Sequence, residues 1–304
     1  MVVRVLMRPS ELVVVNMLKF HAYKGNNYEK YATYAELVSY FKGLGFDYEV
    51  IGTGEDGSTM YGIKYGEFNG KPVIFLEADC HGSEWQTSHF VLDFLVKLRD
   101  NQYPNYQLLQ KLKDTFDFYV IPSTNPWGYE NTSYNNINGV NLNRNTGNNW
   151  EGYPVLASPN FKGSAPFSEK ESQVVRDAFN KYKPYAAVNI HTTTGEHKQG
   201  IDTGKVYREY RALMNDIHFS SLLTVAEYGD AGQEWSVGSS PTFSGWYGAQ
   251  KSKEGINTIS TILEARSDQD EYNYGLSTLF IFCTYVYHFY RTGQQQIHDL
   301  REVI

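Results

Sequence analysis

The chain has 304 residues, with 27 Lys and Arg against 34 Asp and Glu and a formal charge of -7. No concentrated basic face offsets that balance, which argues against nucleic acid as the main partner, and no run reaches the roughly 18 apolar residues of a membrane span. Two cysteines, Cys80 and Cys283, are too few for a disulfide framework, and no secretory signal pattern opens the chain, so it reads as a soluble, single-domain protein of undetermined compartment.

Residues 1–30 carry no assignable pattern. Apolar residues at helical spacing over 35–41 follow Thr33, and Gly45 ends that helix. Strands are read over 48–51 and 60–65, separated by the turn-rich segment 52–58. Val73-Ile74-Phe75-Leu76-Glu77-Ala78 is a nearly continuous apolar run, as in a strand buried on both faces. The next helix covers 86–99, with Phe90, Val91, Phe94, Leu95 and Leu98 on one side. A strand over 116–121 leads into an Asn- and Gly-rich segment, 125–150. Ser168-Glu169-Lys170-Glu171 has the form of a capping box and opens a helix to Tyr182, which Pro184 stops. A strand over 186–190 ends at His191, and a helix over 207–226 follows. A last strand, 258–263, ends at Glu264, and an apolar helix covers 276–290.

Strands alternating with helices predict an α/β fold with an open, largely parallel sheet and helices on both faces. Ligands of such sheets gather outside the carboxyl ends of the strands. His81, His191 and Glu264 each stand at the end of a different predicted strand. His81 and Glu84 are close enough to ligate one ion from a single tight turn, and His191 supplies a third ligand. Two histidines, a glutamate and an open position describe a catalytic zinc site. Glu264, near the ion but not on it, is the candidate base, or else a salt-bridge partner of Arg266. Arg144 carries a fork that binds carboxylates bidentately, or else forms a surface salt bridge. Cys80 is read as a small buried residue, and His89, His197, His218, His288 and His298 as non-ligands.

Several ordered elements carry a resemblance from about Tyr31 to the C-terminal helix. They are Tyr31-Ala-Thr-Tyr34, Ile51-Gly-Thr-Gly-Glu-Asp-Gly57, His81-x-x-Glu84, Asn125-Pro-x-Gly-Tyr129, Gly139-Val-Asn-Leu-Asn-Arg-Asn145, Pro166-Phe-Ser-Glu169, His191 after a strand, and Leu263-Glu264-x-Arg266. The chain resembles the zinc carboxypeptidases of the carboxypeptidase A/B type, the funnelins. The resemblance implies a mixed eight-stranded sheet and one Zn2+ held by His81, Glu84 and His191. It implies Glu264 as general base, and Asn143 and Arg144 on the terminal carboxylate of a peptide substrate. Tyr247 is the candidate for the tyrosine that closes over substrate.

The chain departs from the family pattern at several positions. Asn141 stands where the family has an aspartate supporting the first histidine. Ser83 replaces an arginine in the His-x-x-Glu turn, and no arginine lies between Asn125 and Asn143. The specificity segment, 238–247, has Gly245 where relatives that prefer basic residues carry an acid, so Thr242, Ser244 and Gly245 predict a small neutral pocket. A peptidase or amidase acting on bacterial cell-wall peptides is the second reading. A non-catalytic binding module that kept the fold is the third.

Overall fold

The computed structural model describes residues 30–102, 106–193, 198–201, 241–266 and 272–292. Residues 1–29, the expected helix over 207–226, positions 238–240, and His197, His218 and His298 lie outside the described residues. Thr33 caps helix α1 (Tyr34–Gly43) in a capping box with Glu36. Strands β1 (Asp47–Thr53) and β2 (Thr59–Tyr65) form a hairpin. Then come β3 (Val73–Ala78), α2 (Gln86–Arg99), α3 (Tyr106–Thr115), β4 (Asp117–Ile121) and α4 (Pro126–Asn131). Helix α5 (Lys170–Tyr182), β5 (Ala186–Thr193), β6 (Lys198–Ile201), α6 (Phe243–Ala249), β7 (Ile259–Arg266) and α7 (Tyr272–Thr292) complete the described chain.

The sheet has the order β1-β2-β4-β3-β5-β7-β6. The four central strands, β4-β3-β5-β7, are parallel, and the pairs at both edges are antiparallel. One expectation is corrected: the described sheet has seven strands rather than eight. It is mixed, as expected, with the parallel pairing at its centre. The strand missed in the sequence is β6, whose residues, Lys-Gln-Gly-Ile, show no apolar alternation.

Period-two alternation divides the strands between two cores. Ile74, Leu76, Val120, Val188 and Ile190 pack on one face with α2, α3 and α7. Val73, Phe75, Tyr119, Ile121 and Ala187 pack on the other face with α5 and α6. On that second face Phe75 lies 5.6 Å from each of the Tyr119, Phe179 and Tyr247 rings. Burying both faces explains why β3 reads as a continuous apolar run.

The capping box expected at Ser168 does not form. The N-cap of α5 is Glu169, without a side-chain cap. Glu171 turns away to accept from the Glu55 amide at 3.0 Å and from Asn136 at 3.3 Å. A tertiary contact with the 54–57 turn has outcompeted the local one.

Candidate metal centre

The chain leaves β3 through Asp79, whose φ of 59° lies in the left-handed region that Asp tolerates better than most residues. The bend is fastened from both sides. Ser123 Oγ donates to Asp79 Oδ2 at 2.5 Å. Thr87 Oγ1 accepts from the Asp79 amide and donates to the Glu84 carbonyl, each at 2.9 Å. The next residues form a 3-10 turn, Gly82–Glu84, with His81 at its start. A Cβ on Gly82 would lie 1.9 Å from the Gly128 carbonyl carbon, so the turn sits directly on the backbone of α4.

This turn faces the end of β5. His81 Nδ1 lies 3.0 Å from Glu84 Oε1, and His191 Nδ1 lies 3.0 Å from Glu84 Oε2. The two Nδ1 atoms are 3.2 Å apart. A tetrahedral zinc site with bonds of 2.0–2.1 Å has ligand–ligand edges of about 3.3 Å, so these atoms have the size and chemistry of one face of such a site. The Thr192 amide also donates to Glu84 Oε2, at 3.0 Å.

The far side of each imidazole fixes which nitrogen is free. His81 Nε2 lies 3.0 Å from Asn141 Oδ1, an acceptor, so the proton sits on Nε2 and the Nδ1 lone pair faces the centre. His191 Nε2 lies 2.7 Å from Asn189 Oδ1 and 3.1 Å from Asn143 Nδ2; the shorter contact, to the acceptor, favours the proton on Nε2 here too. Burial depresses the His81 imidazole, against the opposing pull of Glu84. Burial also acts against charge on His191, but Cys80 and Glu84 outweigh it and raise that imidazole. Burial would raise the Glu84 carboxyl, yet the two histidines hold it well below its ordinary value.

Cys80 is fully buried, as expected. Its Sγ lies 3.7 Å from His191 Nε2, on the side of the ring opposite the converging atoms. Burial pushes its thiol up to about 11; its Sγ and one ring nitrogen each of His81 and His191 lie within 4.8 Å of one another, close enough to share a metal ion.

Glu264 is opposite His191 in the parallel register of β5 and β7. Its side chain lies outside what the structure describes. Arg144 closes a second 3-10 turn, Leu142–Arg144. Its Nη1 donates to the Asn143 carbonyl at 2.8 Å and its Nε to Tyr153 Oη at 3.2 Å. Among the described residues it has no acidic partner. Asn143 Oδ1 accepts from the Phe243 amide at 2.9 Å, and its Nδ2 lies 3.1 Å from His191 Nε2.

A family model described as zinc carboxypeptidase matches residues 45–294. The chain belongs to the zinc carboxypeptidase family. It is 31% identical to the mast cell carboxypeptidase A of Homo sapiens over 57% of this chain and 46% of that protein. It is 29% identical to the carboxypeptidase B of Rattus norvegicus over 62% of this chain and 53% of that protein. The chain thus spans about half the length of the curated relatives it matches. Among solved structures, bovine thrombin-activatable fibrinolysis inhibitor in complex with tick carboxypeptidase inhibitor superposes with a TM-score of 0.67 at 20% identity, covering 86% of this chain and 99% of that one. The metallo-carboxypeptidase of Burkholderia cenocepacia gives 0.60 at 18% identity, covering 84% and 68%. These structural likenesses extend the family's α/β fold to this chain.

Tyr247, expected to close over substrate, lies in the core instead. It is fully buried on the inner side of α6, stacked on Phe179 at 4.7 Å and 6° and packed against Phe75 and Phe243. Its ring completes the second core, and proximity in sequence to Glu264 did not reveal that direction. The sequence reading also missed Tyr134, whose ring lies 3.7 Å from the His81 ring at 18°. Its one sequence signal is that it is a tyrosine in an Asn-rich loop, a composition suited to ligand-facing surfaces. His89 and His288 are buried in helices and take no part in the convergence.

Proposed function

We propose that this chain is a zinc metallocarboxypeptidase, hydrolysing the last peptide bond of a peptide that ends in a free carboxylate. The observation that carries the reading is the convergence of His81 Nδ1, Glu84 and His191 Nδ1 at 3.0–3.2 Å. The zinc they would hold supplies a bound water with its pKa lowered from 15.7 toward about 7.

The other steps belong to the chain's own groups. Glu264, in register with His191, takes the proton of the attacking water and returns it to the leaving amine. The Arg144 fork binds the substrate's terminal carboxylate. Asn143 helps it: with the proton on His191 Nε2, the Asn143 Nδ2 donors have no acceptor there and are available to a carboxylate. That recognition makes the enzyme an exopeptidase.

Replacing Glu264 with Gln is expected to lower kcat by about 10²–10⁴-fold while zinc content stays at one per chain. An unchanged rate removes the base assignment. Blocked and free peptide C-termini test the carboxylate contact, since only free ends should be cleaved. Gly245 and the missing arginines favour neutral side chains and keep cell-wall peptides as a second substrate class. Exclusive release of D-amino acids from a muropeptide set would replace the protein-tail reading with that one.

A further inference from the structure

Strand β3 is apolar except for Glu77, which is fully buried. An isolated carboxylate in a core is costly unless it is well hydrogen-bonded. Glu77 is well held. Thr124 Oγ1 donates to its Oε1 at 2.6 Å, and Asn189 Nδ2 donates to its Oε2. Register pairs Glu77 with Asn189 across β3 and β5, and Asn189 precedes His191 by two residues on the same strand face. Asn189 is also fully buried, and its Oδ1 lies 2.7 Å from His191 Nε2.

The order of these contacts matters. An amide can face an imidazole with either its oxygen or its nitrogen. Burial pushes the Glu77 carboxyl up to about 7, against the hydrogen bonds from Thr124 and Asn189, and both of its oxygens accept in the structure, so Glu77 draws the Asn189 NH2 to itself and turns Oδ1 toward His191. The amide oxygen then holds the proton on Nε2, which leaves the Nδ1 lone pair for the centre. Asn141 performs the same service for His81 with no carboxylate among its described contacts.

We propose that Glu77, acting through Asn189, is a positioning pair that holds His191 in its ligating tautomer. It sets a carboxyl behind the amide of the second histidine, where the first has the Asn141 amide alone. The inference rests on the zinc reading above.

The experiment is zinc affinity by chelator competition, with the thermal midpoint of each zinc-free protein measured alongside. Glu77→Gln keeps the shape but can present an N–H to Asn189 and let that amide turn over. It is expected to weaken zinc binding about 10- to 100-fold with one zinc still bound at saturation. The double variant Glu77→Gln, Asn189→Asp moves the carboxylate one step closer to His191 and is expected to recover the parent affinity to within a few-fold. A purely structural core pair predicts the opposite, with the double variant no tighter than the single one. Unchanged affinity in Glu77→Gln, or no recovery in the double variant, overturns the proposal. If Glu77→Gln does not fold, the double variant decides against the parent: affinity within a few-fold supports the pair, and a loss beyond 10-fold refutes it. A parent that binds no zinc would refute the metal centre itself, a result distinct from either.

Discussion

At Gly82 the absence of a side chain decides the geometry of the whole turn. Its missing Cβ leaves room for the Gly128 carbonyl carbon, which would otherwise be 1.9 Å away. Gly82→Ala must therefore push the turn off α4 and carry His81 and Glu84 with it. We expect a loss of about 1–3 kcal/mol in unfolding free energy and weaker zinc binding, read by denaturant melts and chelator competition. A variant as stable and as zinc-avid as the parent would contradict this packing. Tyr247 gives the opposite expectation. Its hydroxyl is buried with no partner among the described residues, so Tyr247→Phe removes an unsatisfied group and should be neutral or stabilising. Steady-state kinetics should leave kcat and KM within about twofold of the parent, whereas a tyrosine that closes over substrate would lose far more. At this scale the sequence is legible where the chemistry is local. His81 and Glu84 can be paired from their spacing alone. The Glu77–Asn189–His191 line and the Tyr134 stack cannot, because each needs the sheet register or a loop fold to bring its members together.

Among the elements, β1 shows how an exposed strand is tied down. Its Glu49 accepts from Lys64 at 2.8 Å, Lys181 at 2.9 Å, Tyr182 at 2.7 Å and Tyr119 at 3.1 Å, joining β1 to β2, β4 and α5. Burial alone would raise this carboxyl. The hydrogen bonds from Lys181, Lys64, Tyr182 and Tyr119 prevail and hold it at about 2. The unfolded chain keeps a value near 4.3. A depressed carboxyl stabilises the fold above the unfolded pKa, and that contribution disappears as pH falls through the folded one. The Glu49 side chain is half-buried and its Lys64 and Lys181 partners reach solvent, so screening reduces the gain to about 1 kcal/mol. Glu49→Gln should therefore be less stable than the parent at pH 7, and the gap should close between about pH 4.3 and 2 in urea melts at stepped pH. A gap that stays constant over that range would rule out the linkage. Periodicity located most elements because it measures burial directly: α2 was read over 86–99 and β3 over 73–78, both as observed. It failed at β6, which has no apolar pattern, and at the start of α5, where Glu171 serves a distant turn.

Across the whole molecule, the candidate ligands come from two places that the chain keeps far apart. Glu84 and His191 are separated by 107 residues, and β3 and β5 bring them together as neighbours at the centre of the sheet. The two faces of that sheet are packed by separate cores, so the ligand triangle lies at the carboxyl end of the strands that both cores share. The alternation of strands and helices made this placement legible, because it located the end of β3 and set His191 and Glu264 near the ends of β5 and β7, although those strands run on to Thr193 and Arg266, three residues beyond the expected ends. An ion bound there closes a long loop in the folded chain only, so it must stabilise folding by mass action. At free zinc 100 times its Kd the gain is about 2.7 kcal/mol. Calorimetry should show the thermal midpoint rising with zinc and falling on chelation, with the rise continuing as free zinc increases. Glu84→Gln removes the carboxylate that both imidazoles face, so its midpoint should not respond to zinc at concentrations that shift the parent. If the parent's midpoint is indifferent to zinc while the chain remains folded, the triangle is a hydrogen-bonded cluster and not a metal centre.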